Sequence, residues 1–164
     1  MSANIASLVN QQLYHCELLL KQLDQLDQQS FDFRASHQAL LNAALYASFL
    51  AYRGFLQELA ESCQLQIRPT VLAELVQALE HESRSHACVA NLQSLIDQPD
   101  SWLQQLLNAE QQLFEQAPSQ RKAAANPQLI ALSVNRSIDA PEIRELNQTL
   151  KQFIALQREF LQEW

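Results

Sequence analysis

The chain has 164 residues, of which 48% are hydrophobic and 18% charged, and it carries a net charge of −7. That length and composition bound it to one domain, residues 1–164, with room for a sizeable core, and exclude global disorder. A single glycine, Gly54, leaves hairpin-rich β folds, Rossmann turns and Walker loops without the positive-φ residues they need, and the abundant Leu, Ala, Gln and Glu lose least on entering a helix.

The pattern predicts an all-α fold, a five-helix antiparallel bundle with a central apolar second helix and a long loop before the last helix. The first helix spans about residues 4–27, with Leu13, Cys16, Leu20 and Leu23 on one stripe. Ser30-Phe31-Asp32-Phe33 breaks it. The second spans about 35–63, with Ser36 or Asp32 as N-cap. Its window 39–60 is apolar nearly all round, which places it among neighbours at the bundle centre. Gly54 costs roughly 1 kcal/mol of helix propensity against Ala, so a tight helix crossing is expected there. Pro69 and Thr70 announce a third helix to about residue 96, its stripe interrupted by Glu82, Ser83 and His86. Residues 97–100 reset the chain, and a shorter fourth helix follows from Trp102. The piece at about 117–137 is expected to be a flexible loop, with 119–126 its most mobile part and Leu129 to Leu132 lying extended across the bundle. Asp139, Pro141 and Glu142 form a capping-box-like start for the last helix.

Charge and cysteine spacing narrow the chemistry. Nucleic-acid binding needs a clustered basic stripe, and the only adjacent basic pair is Arg121-Lys122, so no nucleic-acid partner is expected. Residues 39–60 carry Asn42, Ser48, Arg53 and Gly54, too many interruptions for a membrane span. The first sixteen residues have neither a basic n-region nor a long apolar h-region. Cys16, Cys63 and Cys88 are odd in number and lack CxxC spacing, the pattern of three reduced thiols in a cytoplasmic protein. His81 and His86 are five apart, whereas a zincin helix needs histidines at i and i+4. No Glu-x-x-His pair occurs for a di-iron bundle. No metal, cofactor or catalytic residue is therefore assigned.

One constellation goes further. If the second and third helices form an antiparallel hairpin turning near Ile67, Arg53 faces the level of His81 and Glu82. Arg53 shares a stripe with Tyr46, Phe49, Leu50 and Leu56, so its guanidinium is expected to be partly buried and to need a carboxylate. Glu82 is the candidate, with His86 one turn on. The register reading makes this a structural pair; the functional reading makes Arg53, Glu82 and His86 a small polar pocket for an anionic ligand.

Several stretches resemble an uncharacterised family of short acidic helical proteins from gammaproteobacteria. They are Asn10-Gln-Gln-Leu-Tyr14, the apolar helix 39–60, Ser101-Trp-Leu-Gln-Gln-Leu-Leu107, Leu129-Ile130 and Glu159-Phe-Leu-Gln-Glu-Trp164. The resemblance implies a bacterial cytoplasmic protein and no catalytic residues. The leading expectation is a non-enzymatic helical interaction or regulatory protein, its partner another protein or a second copy of itself. The alternative is a small-ligand-binding bundle with the pocket around Arg53, Glu82 and His86; an enzyme stands third.

Overall fold

Six helices form where the apolar stripes run: α1 Ser2–Asp24, α2 Phe33–Ser62, α3 Leu72–His81, α4 Ala87–Ile96, α5 Trp102–Ser119 and α6 Ala140–Gln162. The computed structural model describes residues 2–119 and 138–162, and no strand occurs among the described residues. Side-chain pairs fix the direction of each helix. Val9 meets Gly54 and Cys16 meets Ser48, so α1 runs antiparallel to α2. Asp24 pairs with Arg144, Glu17 with Lys151 and Asn10 with Arg158, at 2.9, 2.7 and 2.7 Å. Each step is one heptad on both helices, the spacing of an antiparallel coiled-coil seam between α1 and α6. Trp102 packs on Phe153, while Ala109 and Leu113 lie beside Leu41, Leu45 and Ile143, so α5 runs antiparallel to α2 and α6. The result is a four-helix up-down bundle of α1, α2, α5 and α6, with α3 and α4 inserted between α2 and α5.

The helix α2 is central, as its pattern predicts. It buries Leu45, Phe55, Leu56 and Leu59 together with Ala44, Ala47, Ala51 and Gly54. By length and composition it could cross a membrane, yet 61% of its most apolar window is buried inside the bundle, which is how a core helix behaves.

The expected third helix is two helices, which makes six rather than five. The break is a Schellman motif. Ser83 adopts φ 53°, its N–H bonds to the Glu80 carbonyl at 2.9 Å, and the Arg84 N–H bonds to that of Leu79 at 2.8 Å. Then His86 restarts the helix by accepting the Cys88 N–H on its Nδ1 at 3.2 Å. The polar run 82–86 thus closes one helix and caps the next. A second Schellman motif ends α2, with Gln64 at φ 58° and its N–H on the Glu61 carbonyl, while Leu65 N–H reaches Ala60. In both, the position that glycine usually fills holds an L-residue.

The last helix starts as expected. Glu142 N–H donates to Asp139 Oδ1 and Asp139 N–H to Glu142 Oε2, both at 2.9 Å. Asp32 occupies the N-cap of α2, but its carboxylate accepts from the Ser30 and Ser36 hydroxyls and makes no cap bond to the first-turn N–H groups of the helix. Helix α5 continues through Pro118 to Ser119, past the expected start of the loop. The remaining expectations for 120–137 fall outside the described residues.

Two stability outcomes follow from these joints. Gln64→Gly and Ser83→Gly should each stabilise by about 0.5–1 kcal/mol, since a left-handed L-residue costs about 1–2 kcal/mol and glycine's extra unfolded freedom returns part of that; urea midpoints that fall instead would contradict the caps. A Cβ on Gly54 would lie 2.8 Å from Val9 Cγ2, and valine in a helix has one favoured rotamer. Gly54→Ala should therefore destabilise, because overpacking costs about 1–3 kcal/mol against a propensity gain of about 1. Val9→Ala/Gly54→Ala should be more stable than the sum of the two singles implies; additivity would mean the contact is not felt.

Candidate functional site

The structure separates the residues that the hairpin register brings together. Arg53 is half-buried on α2, its guanidinium 5.7 Å from the centre of the Phe49 ring. Glu82 is the exposed C-cap of α3 and pairs with Arg84 at 3.1 Å. His86 is the N-cap of α4, and burial pushes its pKa below the usual histidine range. Glu82 and His86 share a corner that Arg84 ties to α2 by donating to the Cys63 carbonyl at 2.8 Å. Arg53 is not part of it. The acidic charge it reaches is that of Glu74, at the start of α3, whose carboxylate accepts from the Thr70 N–H and hydroxyl. The connection at 64–71 is no tight turn: it runs back beside Gln57 and Glu61. Thus α3 begins near the Arg53 level and ends near Cys63, and the antiparallel register does not apply.

A buried arginine–carboxylate pair does exist, between other residues. Arg158 on α6 grips Glu58 on α2 with both arms of its fork, Nε to Oε1 at 2.8 Å and Nη2 to Oε2 at 2.7 Å. Its Nη1 also donates to Asn10 Oδ1 on α1 at 2.7 Å. The side chains are 22% and 10% exposed, so the pair is largely shielded from water. A second polar joint lies on the same three helices. Ser48, fully buried, donates to Asn147 Oδ1 at 3.0 Å and lies 3.2 Å from Cys16 Sγ, while Asn147 Nδ2 donates to the Leu13 carbonyl at 3.2 Å. One sequence signal pointed to the first joint: Glu58 is the only carboxylate in the apolar window 39–60.

The interior is poorly suited to nucleophilic chemistry. Burial raises the Cys16 thiol to about 11 and the Cys88 thiol to about 12, and it also raises Cys63 and Tyr52. A thiol held protonated is not a nucleophile at neutral pH. The Tyr52 hydroxyl is buried and has no hydrogen-bond partner among the described residues.

Among the described residues a polar groove of about 400 Å³ runs along α6 past Arg144, Glu145 and Gln148, and two further grooves involve α2. The larger, about 700 Å³, is mixed, with Ile5, Leu65 and Ile67 beside Gln57, Glu61 and Arg68 at the end of α2. The other is apolar, about 390 Å³, and follows the outer seam of α1 and α2. Leu18 and Leu19 form one wall, Tyr46 and Leu50 the other, and Ala43 and Ala47 the floor. His15 sits along it, with Gln12 and Gln22 towards its ends, and no carboxylate lines it. Leu18 is 39% and Tyr46 41% exposed. Arg53 lies three residues beyond Leu50 on the same α2 stripe.

Removing one partner of a buried pair leaves the other charge unpaired at a cost of about 3–5 kcal/mol, so Arg158→Ala should destabilise by about 3 kcal/mol. Arg144→Ala, which breaks an exposed pair, should cost no more than about 0.5 kcal/mol; equal losses in denaturant titrations would refute the distinction. Both thiol shifts are upward from 9.0, so their stabilising contribution is whole below pH 9 and is lost as pH rises through about 11 and 12. Iodoacetamide should label native Cys63 well before Cys16 or Cys88. Early labelling of either buried thiol would show that the core opens more readily than its packing implies.

The chain belongs to a family of unknown function, DUF6586, whose family model matches residues 1–164. No curated protein and no solved structure matches it.

Proposed function

We propose that this member of the DUF6586 family is a non-enzymatic helical interaction protein whose docking surface is the groove between α1 and α2. The observation that carries the reading is the exposure of Leu18 and Tyr46 over an alanine floor, with Leu19 and Leu50 half-covered beside them. Apolar walls left in water are unfavourable, and covering them returns roughly 25 cal/mol per Å² of area removed from solvent. A trough along a helix seam suits an amphipathic helix laid into it, with anchors at helical spacing. From Gln12 to Gln22 it is about 15 Å long at 1.5 Å per residue, which is nearly three turns of a docked helix.

The small-ligand alternative, built on Arg53, Glu82 and His86, has weaker support. Each of the three already has a neighbour within its own element or turn, Phe49, Arg84 and the Cys88 N–H respectively. A cytoplasmic setting accords with the three free thiols. The net charge of −7 disfavours approach to nucleic acid or an anionic membrane.

The test is comparative capture from an extract of the native host. Leu18→Glu and Tyr46→Glu should each remove a set of proteins held by the unaltered chain. Tyr14→Ser, at an apolar residue 57% exposed but outside the groove, should leave that set intact. Both groove variants should keep the wild-type thermal midpoint, because neither side chain belongs to the core. Identical capture by all four proteins would dismiss the groove.

A further inference from the structure

The reading above leaves the groove's occupant open; resting on it, we propose that one occupant is a second copy of this chain, which presents the outer face of α6. Leu156 is 49% and Phe160 54% exposed, one turn apart on α6, and exposed Glu159 lies between them. Residues at i, i+3 and i+4 share a helix face, so the ridge has two apolar anchors flanking a carboxylate. That is the pattern the groove lacks and can accept. Leu18, Leu19, Tyr46 and Leu50 offer apolar walls, and Arg53 waits one turn beyond Leu50.

Charge supports this occupant. The chain carries 18 acidic against 11 basic residues, so two copies meeting on arbitrary faces repel. The groove is a place without a carboxylate. Arg84, Arg144 and Arg158 each hold a carboxylate at 2.7–3.1 Å. Among the described residues Arg53 holds none within ion-pair distance, although it is half-buried, and neither does Glu159; Arg34 and Arg68, also without one, are exposed. A Glu159–Arg53 pair across the contact would satisfy both while the apolar anchors exclude water around it.

The ridge cannot fill its own groove. Arg158, in the same turn as Leu156 and Phe160, is locked to Glu58 and Asn10, which holds α6 against the bundle. The same lock presents the ridge without an ordering cost at binding. Ridge and groove are different surfaces, so the contact is heterologous and builds head-to-tail chains, or rings where the rotation closes.

Sedimentation velocity of the full-length protein over a concentration series tests this. The unaltered chain should grow in mean mass with concentration. Leu18→Glu, which blocks the groove, and Phe160→Glu, which blocks the ridge, should each stay monomeric alone. Mixed together they should form a one-to-one dimer and stop there, because only one groove and one ridge remain competent. Arg53→Glu should weaken association at least tenfold, and Arg53→Glu with Glu159→Lys should restore it.

A monomer at every concentration overturns the homotypic contact. So does association lost in Leu18→Glu but kept in Phe160→Glu, which would mean a groove-to-groove dimer. Failure of the charge swap alone, with the mixing experiment intact, overturns the Glu159–Arg53 pairing. None of these outcomes alters the host-extract comparison, so a groove that serves only other proteins is distinguished from one that serves none. Capture of Leu18-dependent binding by phosphatidylglycerol vesicles in place of a second copy would assign the face to membrane and overturn the proposal.

Discussion

Close contact between α1 and α2 sets the rest of the molecule. Gly54 lets Val9 approach so near that one methyl group more on α2 would collide with it. Ala44, Ala47 and Ala51 continue the small, buried positions of α2. With the two backbones this near, sliding one helix past the other would drive side chains into backbone, so the register is steep. Cys16 is then held against Ser48, and Ser48 against Asn147. That fixes α6, and α5 closes the bundle over Phe153 and Ile143. The same closeness leaves Ala43 and Ala47 as the floor of a trough on the outer side of the seam.

Polar groups in the bundle act mainly as register keys. Leucine packs adequately in several alignments; a carboxylate and a guanidinium with both forks engaged pack in one. Glu58 with Arg158, and Ser48 with Asn147, lock α2 to α6 about three helical turns apart, and both knots reach across to α1. Burying such groups costs desolvation, so their net effect on stability is smaller than the damage done by removing one partner. The exposed pairs Asp24–Arg144 and Glu17–Lys151 repeat the heptad on the solvent side, where screening makes each worth little. Their value lies in sharing a register with the buried pair.

Burial holds the Cys16 and Cys88 thiols protonated, and the histidine at position 86 caps a helix. The surface carries a carboxylate-free trough on α1 and α2, an arginine with no ion pair among the described residues, and two apolar anchors flanking a carboxylate on α6. Under the proposed function these are its recognition features. They sit on rigid helices, so binding need not order a loop.

Local physics was legible from the sequence alone. Scarcity of glycine and dominance of strong helix formers decide the all-α class, all-round apolarity puts α2 at the centre, and the reciprocal cap of Asp139 and Glu142 needs only a spacing of three. These are decided within a turn or two of chain. The helix break at 82–86 was visible as an interruption of a stripe, but a left-handed Ser83 where glycine is usual concealed that it ends a helix. The rule that a half-buried arginine wants a carboxylate was sound, yet it was applied to Arg53 and is fulfilled by Arg158. Nothing local separates those two arginines. Their environments are set by elements up to a hundred residues away, through the course of the 64–71 connection and the depth to which α1 sinks against Gly54. Helix formation is a property of short segments; which faces meet, and which stay uncovered, is decided only when all the helices compete for the same interior.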